Sequence, residues 1–190
     1  MPVSLNIELD KSKYSELIRK CSLLANEAEI KKAINRAAKR AADTAKAESV
    51  RQLTEAYTLP SADIRKTITT KNISGGGAVM NILSSPFALP KFRGVAPKGE
   101  MPPAKGPVVV QVKKGNKTTF RQAFIAKMKS GHVGVYERKD ETRLPIEQHF
   151  GPSTPGMFKA NEDVNKAVME KAGETFDKRV QHELERLLNG

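Results

Sequence analysis

The chain has 190 residues, enough for one ordinary hydrophobic core and with nothing that demands a second domain. Charged residues make up 28% and aromatic residues 5%, with no Trp, so the core has to be assembled from Ala, Leu, Ile and Val, a composition that suits helices and a modest sheet. The net charge of +12 points to an anionic counterpart, the single cysteine, Cys21, excludes an intrachain disulfide and fits a reducing compartment, and no apolar run approaches the ~20 residues that a membrane-spanning helix needs.

Val3, Leu5, Ile7 and Leu9 alternate with polar residues, the period of a strand with one buried face. Asp10 and Ser12 then offer side-chain oxygens for a helix N-cap, and Tyr14, Leu17, Ile18, Cys21 and Leu24 follow at three- and four-residue steps. In that setting Cys21 reads as a small apolar helix residue. The pattern shifts at Asn26 and resumes from Glu27, with Ile30, Ala33, Ile34, Ala37, Ala38, Ala41, Ala45, Leu53 and Ala56 along one side and neither Gly nor Pro before Pro60. A helix over residues 27–57 would be about 45 Å long, at ~1.5 Å per residue. That length outruns what one small sheet can cover, so one face is expected on the protein's own sheet and part of the flank against a neighbouring subunit.

Residues 59–63 stop this helix, and a short one is expected over residues 64–68, with Ser61 as its cap and Asp63 in its first turn. From Thr67 the residues become β-branched. Gly75-Gly76-Gly77 lacks the Lys-Ser or Lys-Thr and the following helix of a phosphate loop, so it reads as a turn or bulge before a strand carrying Met80, Ile82 and Leu83. Pro86, Pro90, Pro97, Pro102, Pro103 and Pro107, mixed with Gly94, Gly99 and Gly106, make residues 84–107 a long basic loop or arm. Residues 108–112 and 118–128 then read as a hairpin with Gly115-Asn116 at its turn, and residues 133–138 add a third strand to the meander. Leu144-Pro145-Ile146 suits an edge strand, where Pro is tolerated, and the 27–57 helix is the natural cover for this sheet. Finally Val164, Val168, Ala172, Phe176, Val180, Leu184 and Leu188 recur at four-residue steps, with Asn161 placed as a cap, Glu162 and Asp163 in the first turn, and Gly173 as a weak point. The fold expected is α+β, an antiparallel sheet of about four to five strands covered on one face by a long N-terminal helix and a C-terminal helix, in a single domain over residues 1–190.

The positive charge is concentrated in the middle. Residues 60–131 hold 13 Lys and Arg against two acids, Asp63 and Glu100. Arg65, Lys66, Lys71, Lys91, Arg93, Lys98, Lys105, Lys113, Lys114, Lys117, Arg121 and Lys127 are therefore the candidate interface or anion-binding residues, for nucleic acid or an acidic protein surface. A solvated loop face is the competing reading. Rings able to stack on bases, such as Phe87, Phe92 and Phe120, are few there, which argues against sequence-specific single-strand recognition.

Catalytic chemistry is thin. His132, His149 and His182 fall in a turn, at a strand edge and in a helix, without the two-His spacing of a zinc site, so no metal or cofactor is expected. His132 reads as an exposed turn residue and His149, beside Phe150, as a packed or interfacial ring. Asp140-Glu141 has no recognisable acidic partner, and no Gly-x-Ser-x-Gly motif is present. An enzyme is not expected.

The densest punctuation lies in residues 120–158, FRQAFIAKMKSGHVGVYERKDETRLPIEQHFGPSTPGMF. The order AFI, a Gly-containing turn, GVYER, LPIE, FGPS and a Pro-Gly-Met close resembles the bacteriophage minor tail protein Z family, lambda-like tail completion proteins of long-tailed phages and prophages. The run AINRAAKRAA at residues 33–42 is similar to the N-terminal helix of the same family. The likeness is strongest in these two blocks, and residues 74–107 match little. Phe124, Gly131, Gly134, Arg138, Leu144, Pro145, Gly151 and Pro152 are the positions that carry it.

This resemblance implies a structural tail protein that finishes the head-proximal end of the tail tube and permits head–tail joining. It implies a homo-oligomeric ring, often sixfold, stacked on the tail terminator, tail tube or head–tail connector, with the basic middle facing either acidic surfaces of a neighbouring ring or phage DNA in the channel. The implied location is the virion, reached from the host cytoplasm during assembly, with no membrane contact. The alternative from another class is a non-specific nucleic-acid-binding module acting through residues 60–131 by phosphate contacts.

Overall fold

The structure, a computed structural model, describes residues 2–8, 12–73, 77–93 and 107–189. In chain order its elements are β1 (Val3–Glu8), α1 (Ser15–Ser22), α2 (Glu27–Ala56), α3 (Ser61–Lys66), β2 (Ile68–Ile73), β3 (Gly77–Ile82), a 3-10 turn at Leu89–Lys91, β4 (Val108–Val110), β5 (Thr118–Phe120), β6 (Phe124–Lys127), β7 (Val133–Arg138), β8 (Ile146–His149), α4 (Thr154–Lys159) and α5 (Glu162–Leu188).

The first sheet has the order β1-β3-β2 and is antiparallel throughout. Val3 lies opposite Ile82, Leu5 opposite Met80 and Ile7 opposite Ala78, while Ile68 stands on the other side of Ile82. These residues share one face, and Ile7, Ile68, Ala78, Met80 and Ile82 are buried on it. A slip of one residue would turn the whole set to solvent, which fixes the register. The alternation of the N-terminal residues therefore has its partner in the strand after the triple glycine, of which Gly75 and Gly76 lie outside the described residues. Leu83, expected within that strand, falls just past its end and is exposed.

α2 covers this face, and α5 packs along α2. The break at Asn26 is a capping box. The Asn26 side chain accepts from the Glu29 amide at 3.0 Å, and the Glu29 carboxylate accepts from the Asn26 amide at 3.1 Å. Ala33, Ala37, Ala38, Ala41, Ala42 and Ala45 are all buried, because the helix has a sheet on one side and a helix on another and needs a broad apolar face. α5 contributes Val164, Val168, Ala172, Phe176, Val180 and Leu184, the four-residue stripe seen in the sequence. α1 leans on both long helices. Its Cys21 is fully buried, with its thiol toward the Leu184 carbonyl at 3.4 Å, and burial raises the thiol pKa. Leu24, expected on the apolar side of α1, is instead exposed in the connection to α2, as is Leu23. No side chain caps α1, whose N-cap residue is Tyr14; Asp10, one of the expected caps, lies outside the described residues.

Among the described residues the strands do not join into a single sheet of four to five. The described residues form three small antiparallel sheets instead: β1-β3-β2, the hairpin β4-β5, and β6-β7-β8. Residues 118–128, expected as one strand, divide at the exposed Arg121-Gln122, so that β5 pairs back on β4 while β6 pairs forward on β7. The long helix consequently covers the first sheet rather than the meander. β8 does form an edge strand, but it begins at Ile146, after a cis Leu144-Pro145 peptide.

Three smaller departures belong to the chain ends of helices. α3 spans residues 61–66 rather than 64–68, with Pro60 in the capping position, and Ile68 already belongs to β2. Asn161 precedes α5 as expected but does not cap it; its amide donates to the Tyr57 hydroxyl at 3.0 Å and to the Met157 carbonyl. The segment after FGPS forms α4 instead of leading straight into α5. Ser153 caps α4 by accepting from the Gly156 amide at 3.2 Å, and Pro155 sits in its first turn, where a missing N–H costs nothing. Of residues 84–107, the stretch up to Arg93 is packed: Phe87, Ala88, Leu89 and Phe92 are buried, and the Gly151 amide donates to the Phe87 carbonyl at 2.8 Å. Residues 94–106 lie outside the described residues.

Candidate functional site

The C-terminal end of α2 is where several of the basic residues meet. A helix leaves its last carbonyls unsatisfied, and here the β4-β5 hairpin supplies donors. The Lys114 amide donates to the Ala56 carbonyl at 3.0 Å. Thr58 answers in the other direction, its amide donating to the Val112 carbonyl at 3.0 Å and its hydroxyl to the Gln111 carbonyl. Gly115, with φ of 83°, makes the sharp turn that returns the hairpin. Two lysines are thus carried to the negative end of the α2 dipole. The Lys113 ammonium lies 5.8 Å from the centre of the Tyr57 ring, and Lys114 is exposed beside it.

α3 follows the same corner and adds Arg65, while the backbone of Arg93 is tied to it by donation to the Thr58 carbonyl at 3.2 Å. Arg65 and Lys114 line one cavity of about 360 Å³ together with Thr54 and Ser61. Arg93 lines a second cavity of about 360 Å³ that shares Thr54, Ser61 and Lys114 with the first. On the outer wall Arg51 is already committed: its guanidinium holds Glu48 at 2.5 Å and Glu55 at 2.8 Å. Hydrogen bonds from Arg51 and then Gln52 hold the Glu48 carboxyl below the ordinary carboxylate range, and the Glu48 hydrogen bond and charge push the Arg51 pKa up. Among the described residues Arg65, Arg93 and Lys114 form no ion pair. The Thr54 hydroxyl oxygen is out of contact with solvent and has no hydrogen-bond partner.

The other candidates do not join this cluster's walls. Lys66 ends α3, Lys71 lies on the uncovered face of the first sheet, Lys91 stands 5.5 Å from the centre of the Phe87 ring, and Lys117, Arg121 and Lys127 are exposed along the two hairpins. Lys98 and Lys105 lie outside the described residues. Sequence reading passed over Thr54 and the Glu48-Arg51-Glu55 set because they belong to α2, outside the basic middle. The three- and four-residue spacing of those charges was the available signal.

The positions of the 120–158 motif build the third sheet and its junction with the rest. Phe124 lies opposite Tyr136, and the Arg138 guanidinium stands 5.0 Å from the centre of the Phe124 ring. Gly131 takes φ of 84° in the β6-β7 turn. A Cβ on Gly134 would fall 2.8 Å from the Tyr136 ring, and one on Gly151 would overlap the Phe92 ring. Leu144 and Pro145 are exposed before β8, and Pro152 is half-buried ahead of α4. His149 packs its ring 4.9 Å from that of Phe120 and meets the Glu137 carboxylate at 2.7 Å, while His132 is exposed in its turn, hydrogen-bonded to Gln148. Among the described residues no group of His, Cys, Asp and Glu could hold a metal ion, and no helix is long and apolar enough to cross a membrane.

The described side chains are those of a packed α+β unit with a charged surface. The chain belongs to the prophage minor tail protein Z (GPZ) family, whose profile matches residues 15–189, from the first residue of α1 to the end of α5. No curated protein and no solved structure matches it. Membership makes it a structural component of a phage tail that works with other tail components.

Proposed function

We propose that this protein completes the head-proximal end of the phage tail, finishing the tube so that it can join the head. It acts as a homo-oligomeric ring stacked between the tail terminator or tail tube and the head–tail connector, and it reaches the virion from the host cytoplasm. The observation that carries this reading is the extent of the family match, which among the described residues takes in every helix and, in full, two of the three sheets. The outer edges of β1 and β2 pair with no strand among the described residues, and Leu23, Leu24, Leu83, Leu144, Phe150 and Met169 are large apolar side chains left exposed. Open edges and scattered exposed apolar groups are surfaces that neighbouring subunits can complete.

The test is deletion of the gene from the phage or prophage that encodes it, followed by electron microscopy of the lysate. Filled heads and free tails that fail to join, with joining restored by the gene supplied in trans, is the expected result. Joined, infectious particles from the deletion would overturn the proposal.

A further inference from the structure

We propose that the cleft between the last turns of α2, the start of α3 and the tip of the β4-β5 hairpin receives a carboxylate side chain of an acidic segment on a partner protein. The proposal rests on the tail-assembly reading, because it takes the partner to be a protein. Arg65, Arg93 and Lys114 come from three separate parts of the chain and converge on two adjoining cavities that share Thr54, Ser61 and Lys114. All three cations are exposed and form no ion pair among the described residues, whereas the neighbouring Arg51 is held by two glutamates.

Guanidinium groups present paired donors that match the two oxygens of a carboxylate, and Lys adds a mobile point charge. Each cavity, at about 360 Å³, has room for an acidic side chain. A continuous line of phosphates suits the site less well, because the three cations form one compact corner bordered by the Arg51–Glu55 pair and the remaining basic candidates do not extend it into a track. One inserted carboxylate can sit on the Arg93 and Lys114 side, away from Glu55.

The experiment is a titration of the isotope-labelled full chain with a hexaglutamate peptide, followed by amide NMR shifts, with a 20-base-pair DNA duplex as the second probe. The expected result is that hexaglutamate shifts the amides of Thr54, Ser61, Arg93 and Lys114, and that Arg65→Gln, Arg93→Gln and Lys114→Gln together weaken its binding by about tenfold or more. The charge-matched control Lys71→Gln, Arg121→Gln and Lys127→Gln should weaken it much less. All of these side chains are exposed, so both triple variants should keep the far-UV circular dichroism of the parent; single variants replace any triple that does not. Equal weakening by the two triples, shifts that map elsewhere, or tighter binding of the duplex at the same amides would each overturn the proposal. In the phage, a deletion that blocks joining and is fully complemented by the Arg65, Arg93 and Lys114 triple would overturn this inference and leave the tail role standing. A deletion without phenotype would overturn the tail role while the peptide result still decides the cleft.

Discussion

Arg36 on α2 clasps Glu183 on α5 through two nitrogens, Nε at 2.7 Å and Nη2 at 2.6 Å from the same carboxylate oxygen. Glu183 keeps only 13% of its side chain exposed, against 44% for Arg36. The pair therefore lies at the margin of the interface between the two longest helices, where a stripe of alanines brings their backbones together. A double-mutant cycle with Arg36→Ala and Glu183→Ala should give a coupling of about 0.5–1 kcal/mol, at the upper end for partly exposed pairs. Urea denaturation of the four proteins measures it, and additive single effects would show that the clasp contributes nothing.

The alanines of α2 should resist enlargement. Ala41 is fully buried among packed neighbours. Ala41→Leu forces either the sheet or a neighbouring helix to move and should cost about 1–3 kcal/mol in a denaturant melt. The same substitution at Ala47, an exposed position on the same helix, should change stability by less than about 0.5 kcal/mol.

Two glycines should respond with opposite signs. Gly151 has no room for a Cβ because the Phe92 ring, itself 1% exposed, occupies the space. Gly151→Ala should destabilise by about 1–3 kcal/mol. Gly173 lies within α5 with nothing in 4 Å of an added Cβ. Gly173→Ala should stabilise by about 0.5–1 kcal/mol, since Ala loses less backbone freedom in a helix than Gly. Thermal melts of the two variants beside the parent check both signs.

Acid should loosen α1 from α5 through Asp177. Burial alone would raise the Asp177 carboxyl, but hydrogen bonds from Lys13 and Tyr14, with the Lys13 charge, outweigh it and hold the pKa below the ordinary value. A carboxyl depressed on folding adds stability that is fully present above its unfolded pKa of about 4 and is lost as the pH falls through the lower folded value. Stability measured from pH 6 downward should therefore decline below about pH 4, and Asp177→Asn should flatten that part of the decline. An unchanged acid limb in Asp177→Asn would refute the assignment.

The sequence by itself determined the two long helices, whereas α4 and the bounds of α3 escaped it. The break in the pattern at Asn26, the long run free of Gly and Pro up to Pro60, and the four-residue apolar stripe of α5 are local signals, because helical hydrogen bonds join residues four apart, while the capping box that makes the break came from the structure. The alternation in β1 and the Gly115 turn were legible for the same reason. Only the tertiary structure decided which strand pairs with which. Nothing in the residues around Arg121-Gln122 distinguishes one long strand from two short ones with different partners, and β1 finds β3 across three intervening helices and a strand. The meeting of Arg65, Arg93 and Lys114 was equally out of sight. Their charges were plain in the chain, but pairing and cleft formation join segments far apart in sequence, and packing of the whole core chooses among locally equivalent alternatives.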